Sequence, residues 1–155
     1  MLKTNAMRLL DLNKISYKIK EYDVDENDLS GIHVAQLTNI EPDSMFKTLV
    51  TKGDKNGINI FCIPINHELN LKKAANVSKN KKIEMILMKD LLSTTGYIRG
   101  GCSPIGMKKP FPIYLDETAE LFDEIAISGG ARGIQIILDP INLSNFIKGK
   151  FFDLT

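Results

Sequence analysis

FKTLVTKGDKNGINIFCIPI, residues 46–65, decides the fold: two β-rich apolar runs flank a loop that contains Gly-Asp and Asn-Gly. This is a hairpin signal, because Asn-Gly tolerates the positive φ angles that tight antiparallel connections need. The runs are dense enough in Ile, Val, Leu and Phe to form a central sheet and much of the core, and Cys62 within them reads as a core residue. Upstream, Leu2, Ala6, Leu9, Leu10 and Leu12 recur at helical spacing behind Thr4, a candidate N-cap, and predict an amphipathic helix over 4–14. Tyr17, Ile19 and Tyr22 nearly alternate with Lys18 and Lys20, which predicts a half-buried strand. The five acids between Glu21 and Asp28 repel one another and read as a solvated turn. Ile32, Val34, Ala35 and Leu37 then predict a short helix that ends before Pro42.

Downstream, Asn70–Ala75 begins another helix, and IEMILMKDLLSTTGY predicts a strand followed by a helical turn closed near Gly96. Three further strands are expected at Phe111–Leu115, Ile125–Ser128 and Gly133–Leu138. Asp139 and Pro140 suit the N-cap and first position of a last helix, Ile141–Ile147, before a terminal FFDL. Few helices reach the length of a parallel crossover, so short helices among mostly antiparallel strands predict an α+β fold.

The 155 residues fit one domain spanning 1–155. With 43% hydrophobic against 25% charged residues there is material for a sizeable core, and a net charge of +1 disfavours a protein that coats DNA by charge alone. Cys62 and Cys102 form no CxxC pair and are not at ligand spacing from His33 or His67, so no metal site is expected. The first residues lack the continuous apolar run of a secretory signal, and no stretch approaches the roughly 20 apolar residues of a membrane span. A reducing cytoplasmic setting and no membrane partner are the expectation.

The signatures GxSxG, HExxH, GxxxxGK[ST] and GxGxxG are absent. Chemistry concentrates instead in GYIRGGCSPIGMKKP, residues 96–110, whose four glycines and two prolines cannot continue a helix or an ordinary strand. Such a loop can aim unobstructed amides at an oxyanion or phosphate, the candidate donors being Gly100, Gly101, Cys102 and Ser103; a tight turn between sheet edges is the competing reading. Lys47 opens an apolar strand and must place its ammonium on the opposite face, in solvent or in a cleft. SGGARG, residues 128–133, again joins glycines to a cation, Arg132, and reads either as a second site loop or as a turn with a surface arginine. Lysines cluster at 72, 73, 79, 81 and 82, with Lys108, Lys109, Lys148 and Lys150 beyond, and fit either a solvated face or an RNA-backbone contact. His33, His67 and Cys102 lack the neighbours of a nucleophile–base arrangement.

Taken in order, MLKTNAMRLLDLNKISYKIKEYD, FKTLV, LKKAA, KKIEM, TGYIRGGCSPIGMKK, SGGARGIQI and KFFDL resemble the YbaK/EbsC family over practically the whole chain. The resemblance implies a mixed, mostly antiparallel sheet curled around the site and surrounded by short helices, with no cofactor and no metal. It implies a freestanding deacylase of Cys-tRNA(Pro), similar to the editing domain inserted in many bacterial prolyl-tRNA synthetases. The family's essential lysine falls on Lys47, and Gly101 shares the catalytic role. Tyr22, Gly100, Cys102, Ser103, Pro104, Gly106, Ser128, Gly129 and Arg132 fall on its substrate-binding positions. Lys72, Lys73, Lys81, Lys82, Lys108 and Lys109 are the candidates for holding tRNA(Pro), and a transient complex with prolyl-tRNA synthetase is expected; DNA is not a partner.

Two positions depart from the pattern. Ala131 stands where close relatives often have Lys, and Gln135 where they have Asp, so a carboxylate role at 135 does not transfer. Those departures keep two alternatives open: a deacylase of Ala-tRNA(Pro) or another small aminoacyl-tRNA, and a noncatalytic module that binds tRNA or a synthetase. In the implied reaction the substrate's own thiol attacks its ester carbonyl and releases a cyclic thiolactone, so the protein must chiefly position and polarise.

Overall fold

Thr4 accepts a hydrogen bond from the Met7 amide and so caps α1 (Asn5–Leu12), the first element of residues 3–155, which the computed structural model describes. Ala6, Met7 and Leu10 form its buried face, whereas Leu12, expected on that stripe, is 78% exposed because the helix ends there. Leu2 lies outside the described residues. β1 (Lys18–Glu21) follows, and then the acidic turn, which is largely exposed. α2 (Gly31–Thr38) is capped by Ser30 and closed by Asn39 in the left-handed region. It buries Val34, Ala35 and Thr38 rather than the expected Ile32 and Leu37, because Val34 and Ala35 pack on Met45, Ile65 and Ala126; the Thr38 hydroxyl donates to the Val34 carbonyl at 2.7 Å.

The hairpin forms from β2 (Phe46–Gly53) and β3 (Gly57–Pro64), paired over their full length, with Gly57 at φ 79. α3 (Leu71–Val77) starts from an Asn70 cap; β4 (Ile83–Met85) and α4 (Leu91–Thr95) follow, the latter closed by Gly96 at φ 87. β5 (Ile113–Asp116) begins two residues later than expected, since Pro112 has no N–H to enter a ladder and serves only through its carbonyl, which accepts from Ile60. β6 (Ile125–Ser128) and β7 (Ile134–Leu138) lead to α5 (Pro140–Ile147), capped by Asp139, and to β8 (Lys150–Phe152).

The strands form a three-stranded sheet, β1-β7-β6, and a five-stranded sheet, β4-β2-β3-β5-β8. Among the described residues only β3–β5 and β5–β8 pair in parallel, so the mixed, mostly antiparallel α+β architecture is as expected. An isolated parallel bridge between Met45 and Ala126 joins the two sheets, and Met45, Val34, Ala35, Ile65 and Ala126 pack around it. Burial of Phe46, Leu10, Ile127, Ile136 and Leu143 in one cluster, and of Phe61, Ile63 and Ala74 in another, supplies the apolar area that holds the layers together. The long connection from β4 to β5 carries the glycine loop across the end of the sheets. Among the described residues no helix is long and apolar enough to cross a membrane.

Candidate active site

Alternation along β2 drives Phe46 into the core and turns Lys47 the other way, into a cleft of about 360 Å³ at the junction of the two sheets. Burial holds the Lys47 ammonium below its ordinary pKa of 10.5, with Glu68 pulling weakly in the opposite direction. Lys47 forms no ion pair among the described residues. A partly desolvated, unpaired cation is a standing attraction for a developing anion.

The three-stranded sheet supplies the facing groups. Ser128 and Lys20 are both register partners of Gln135, so the three side chains share one face of that sheet. The Lys20 ammonium is committed to the Thr38 carbonyl at 3.0 Å. Ser128 and Gln135 line the cleft, as does Tyr22, whose amide donates to the Gly133 carbonyl. Gln135 is 6% exposed and its Oε1 has no hydrogen-bond partner, an unmade bond at the wall of the cleft. In the sequence this residue stands only as a departure from the family pattern; the lone amide amid the isoleucines of IQIIL is the signal that marks it.

Tyr22, Lys47, Gly100, Cys102 and Ser128 thus meet at one cleft, while the other expected binding residues stand behind it. Gly101 is buried, and its amide, expected to polarise substrate, closes a turn on the Ile98 carbonyl at 3.0 Å. A Cβ there would stand 3.2 Å from the Ala131 and Arg132 backbone, so glycine lets the two glycine loops touch. Arg132 reinforces that contact by donating from Nε to the Arg99 carbonyl at 2.8 Å. Gly129 is likewise internal: its amide reaches the Ile134 carbonyl and its carbonyl accepts from the Thr4 hydroxyl at 2.6 Å. Ser103 is fully buried, its Oγ accepting from the Ile105 amide, and Pro104 and Gly106 open on a different cleft. These residues shape the loop without facing the Lys47 cleft, because a loop this short must spend most of its groups on its own fold.

Burial pushes the Cys102 thiol up to about 12, against a weaker opposing hydrogen bond with Thr95. At neutral pH it is a thiol, a lining group with no nucleophilic part. His33 lies 3.5 Å from Asp25 in the acidic turn. The lysines divide: Lys73 pairs with Asp153 at 2.7 Å, Lys82 pairs with Glu84 at 2.8 Å, and the Lys81 and Lys82 amides bind Asp54. Lys72 stands beside Lys73 on the first turn of α3. Lys108 and Lys109 meet Lys148 at a separate cleft of about 540 Å³ that the glycine loop also borders.

Residues 31–146 match the model of the aminoacyl-tRNA editing domain. A protein of Enterococcus faecalis (strain ATCC 700802 / V583), named as a proposed Cys-tRNA(Pro)/Cys-tRNA(Cys) deacylase, EbsC, is 51% identical over 153 residues, covering 99% of this chain and 93% of its own length. A crystal structure described as a proposed trans-editing enzyme for prolyl-tRNA synthetase superposes with a TM-score of 0.83 at 24% identity, over 100% of this chain and 99% of the other. The hypothetical protein APE2540 gives a TM-score of 0.87 at 14% identity, over 97% and 99% of the two chains. The two structural likenesses speak to the fold alone.

Proposed function

The chain belongs to the aminoacyl-tRNA editing domain family, and from that premise we propose that it deacylates mischarged Cys-tRNA(Pro) in the Lys47 cleft. The observation that carries the proposal is an unpaired, half-buried ammonium and an unpartnered amide carbonyl that border one small cleft, which Gly100 and Cys102 also line. The substrate's amino group donates to Gln135 Oε1, which sets the carbonyl of the ester toward Lys47. The cysteinyl sulfur then bonds to that carbonyl carbon, the ester C–O bond breaks, and the thiol proton passes to the departing ribose oxygen. A thiolactone leaves and opens in water. Lys47 and the Gly100 and Cys102 amides offset the charge that grows on the carbonyl oxygen; the Gly101 amide, held by Ile98, takes no part.

Offered Cys-, Ala-, Ser- and Pro-tRNA(Pro) in separate reactions, the purified protein releases cysteine at least about tenfold faster than the other amino acids, since none of them supplies the sulfur. Faster release of alanine would transfer the assignment to Ala-tRNA(Pro).

The proposal includes a transient complex with prolyl-tRNA synthetase, supported by how few phosphates a chain of net charge +1 can grip. Co-precipitation of synthetase and tRNA(Pro) with this protein at low salt, lost at high salt, is the expected result. No recovery of synthetase at any ionic strength removes the partner from the proposal.

A further inference from the structure

A second, smaller groove of about 190 Å³ adjoins the Lys47 cleft and shares Thr48, Leu49, Arg99, Gly100 and Cys102 with it. Its outer wall holds Met85 and Met88, which are 49% and 60% exposed. Among the described residues, Arg99 is the one charged residue that lines it. Two exposed thioethers beside a groove with one guanidinium are poorly matched to water and well matched to a flat aromatic ring. Thioether sulfur packs on aromatic faces, and arginine stacks on them or pairs with phosphate.

We propose that this groove seats the adenine base of the nucleoside that carries the ester. The assignment rests on the reading of the Lys47 cleft as the aminoacyl pocket. Every tRNA bears its amino acid on the ribose of a 3′-terminal adenosine, so an ester held at Gly100 and Lys47 leaves the base one sugar away. The shared wall is the direction in which that sugar must run. The base stacks on Met85 and Met88, the ribose crosses the exposed Gly100 backbone, and Arg99 faces the 3′-terminal phosphate. The groove thus converts binding energy of a part that does not react into placement of the ester.

Methionine methyl NMR tests this without any turnover, because each cleft holds its own reporter: Met45 in the Lys47 cleft, Met85 and Met88 in the groove, Met107 in the lysine cleft. Titration of ¹³C-methyl-labelled protein with millimolar adenosine shifts Met85 and Met88 and leaves Met45 and Met107 in place. Movement of Met45 or Met107 instead, or of no methyl, overturns the assignment, and the groove is then a seat for something other than a nucleoside.

A kinetic arm follows. In the double variant Met85→Ala, Met88→Ala, the preference for Cys-tRNA(Pro) over cysteine methyl ester contracts about tenfold, the scale of one lost stacking contact. A folding defect lowers both esters together, and an unchanged preference overturns the proposal. Adenosine binding by a protein that leaves Cys-tRNA(Pro) intact would defeat the deacylase reading alone; deacylation by a protein whose groove ignores adenosine would defeat only the groove.

Discussion

Lys47→Ala lowers the rate of cysteine release from Cys-tRNA(Pro) by about 10²- to 10³-fold, the scale of losing one group that stabilises an oxyanion. The fold survives, because the side chain is half-exposed, makes no ion pair, and gives up a desolvated charge when truncated. Circular dichroism and thermal melting should therefore match the parent within a few degrees. A variant that melts normally and still releases cysteine at the parent rate would dismiss Lys47 from the mechanism.

The same side chain sets a limit on pH. Burial penalises its charged form, so the proton leaves at a pH below 10.5, and the ammonium exists only beneath that point. Activity in the parent falls as pH rises through that point. A profile that stays level up to the ordinary lysine range would mean the charge is not used.

S-methylcysteinyl-tRNA(Pro) reacts at least about 10³-fold more slowly than Cys-tRNA(Pro), because a capped sulfur forfeits the gain of an intramolecular attack. The methyl group is small beside a cleft of about 360 Å³, so the loss falls on turnover rather than on binding. Single-turnover rates at saturating protein separate the two. Comparable rates for both esters would show that water, not the cargo's sulfur, attacks.

Much of the fold was readable because it is set locally. The hairpin at 46–65, the Thr4 and Asp139 caps and the Gly96 stop are each written within a few residues. Expectations failed where a partner distant in sequence decides: Met45, Ile65 and Ala126 pack on Val34 and Ala35 of α2 and leave Leu37 exposed. Pro112, by contrast, delays β5 locally. The site was half readable for the same reason. Lys47 and the glycine loop announce themselves by composition, but Gln135 joins Lys47 only through the Ser128–Gln135 register and the junction of two sheets. Nor does a run of lysines reveal that Lys73 is held by Asp153, or four consecutive amides that Gly101 is spoken for by Ile98.

Lys47 belongs to the five-stranded sheet, and Ser128 and Gln135 to the three-stranded one, with the Met45–Ala126 bridge between them. The cleft is therefore a seam, and its working width is a property of how two separately woven fabrics hang together. Repacking of side chains along that seam can bring ammonium and amide carbonyl nearer or farther while leaving every substrate-facing residue in place.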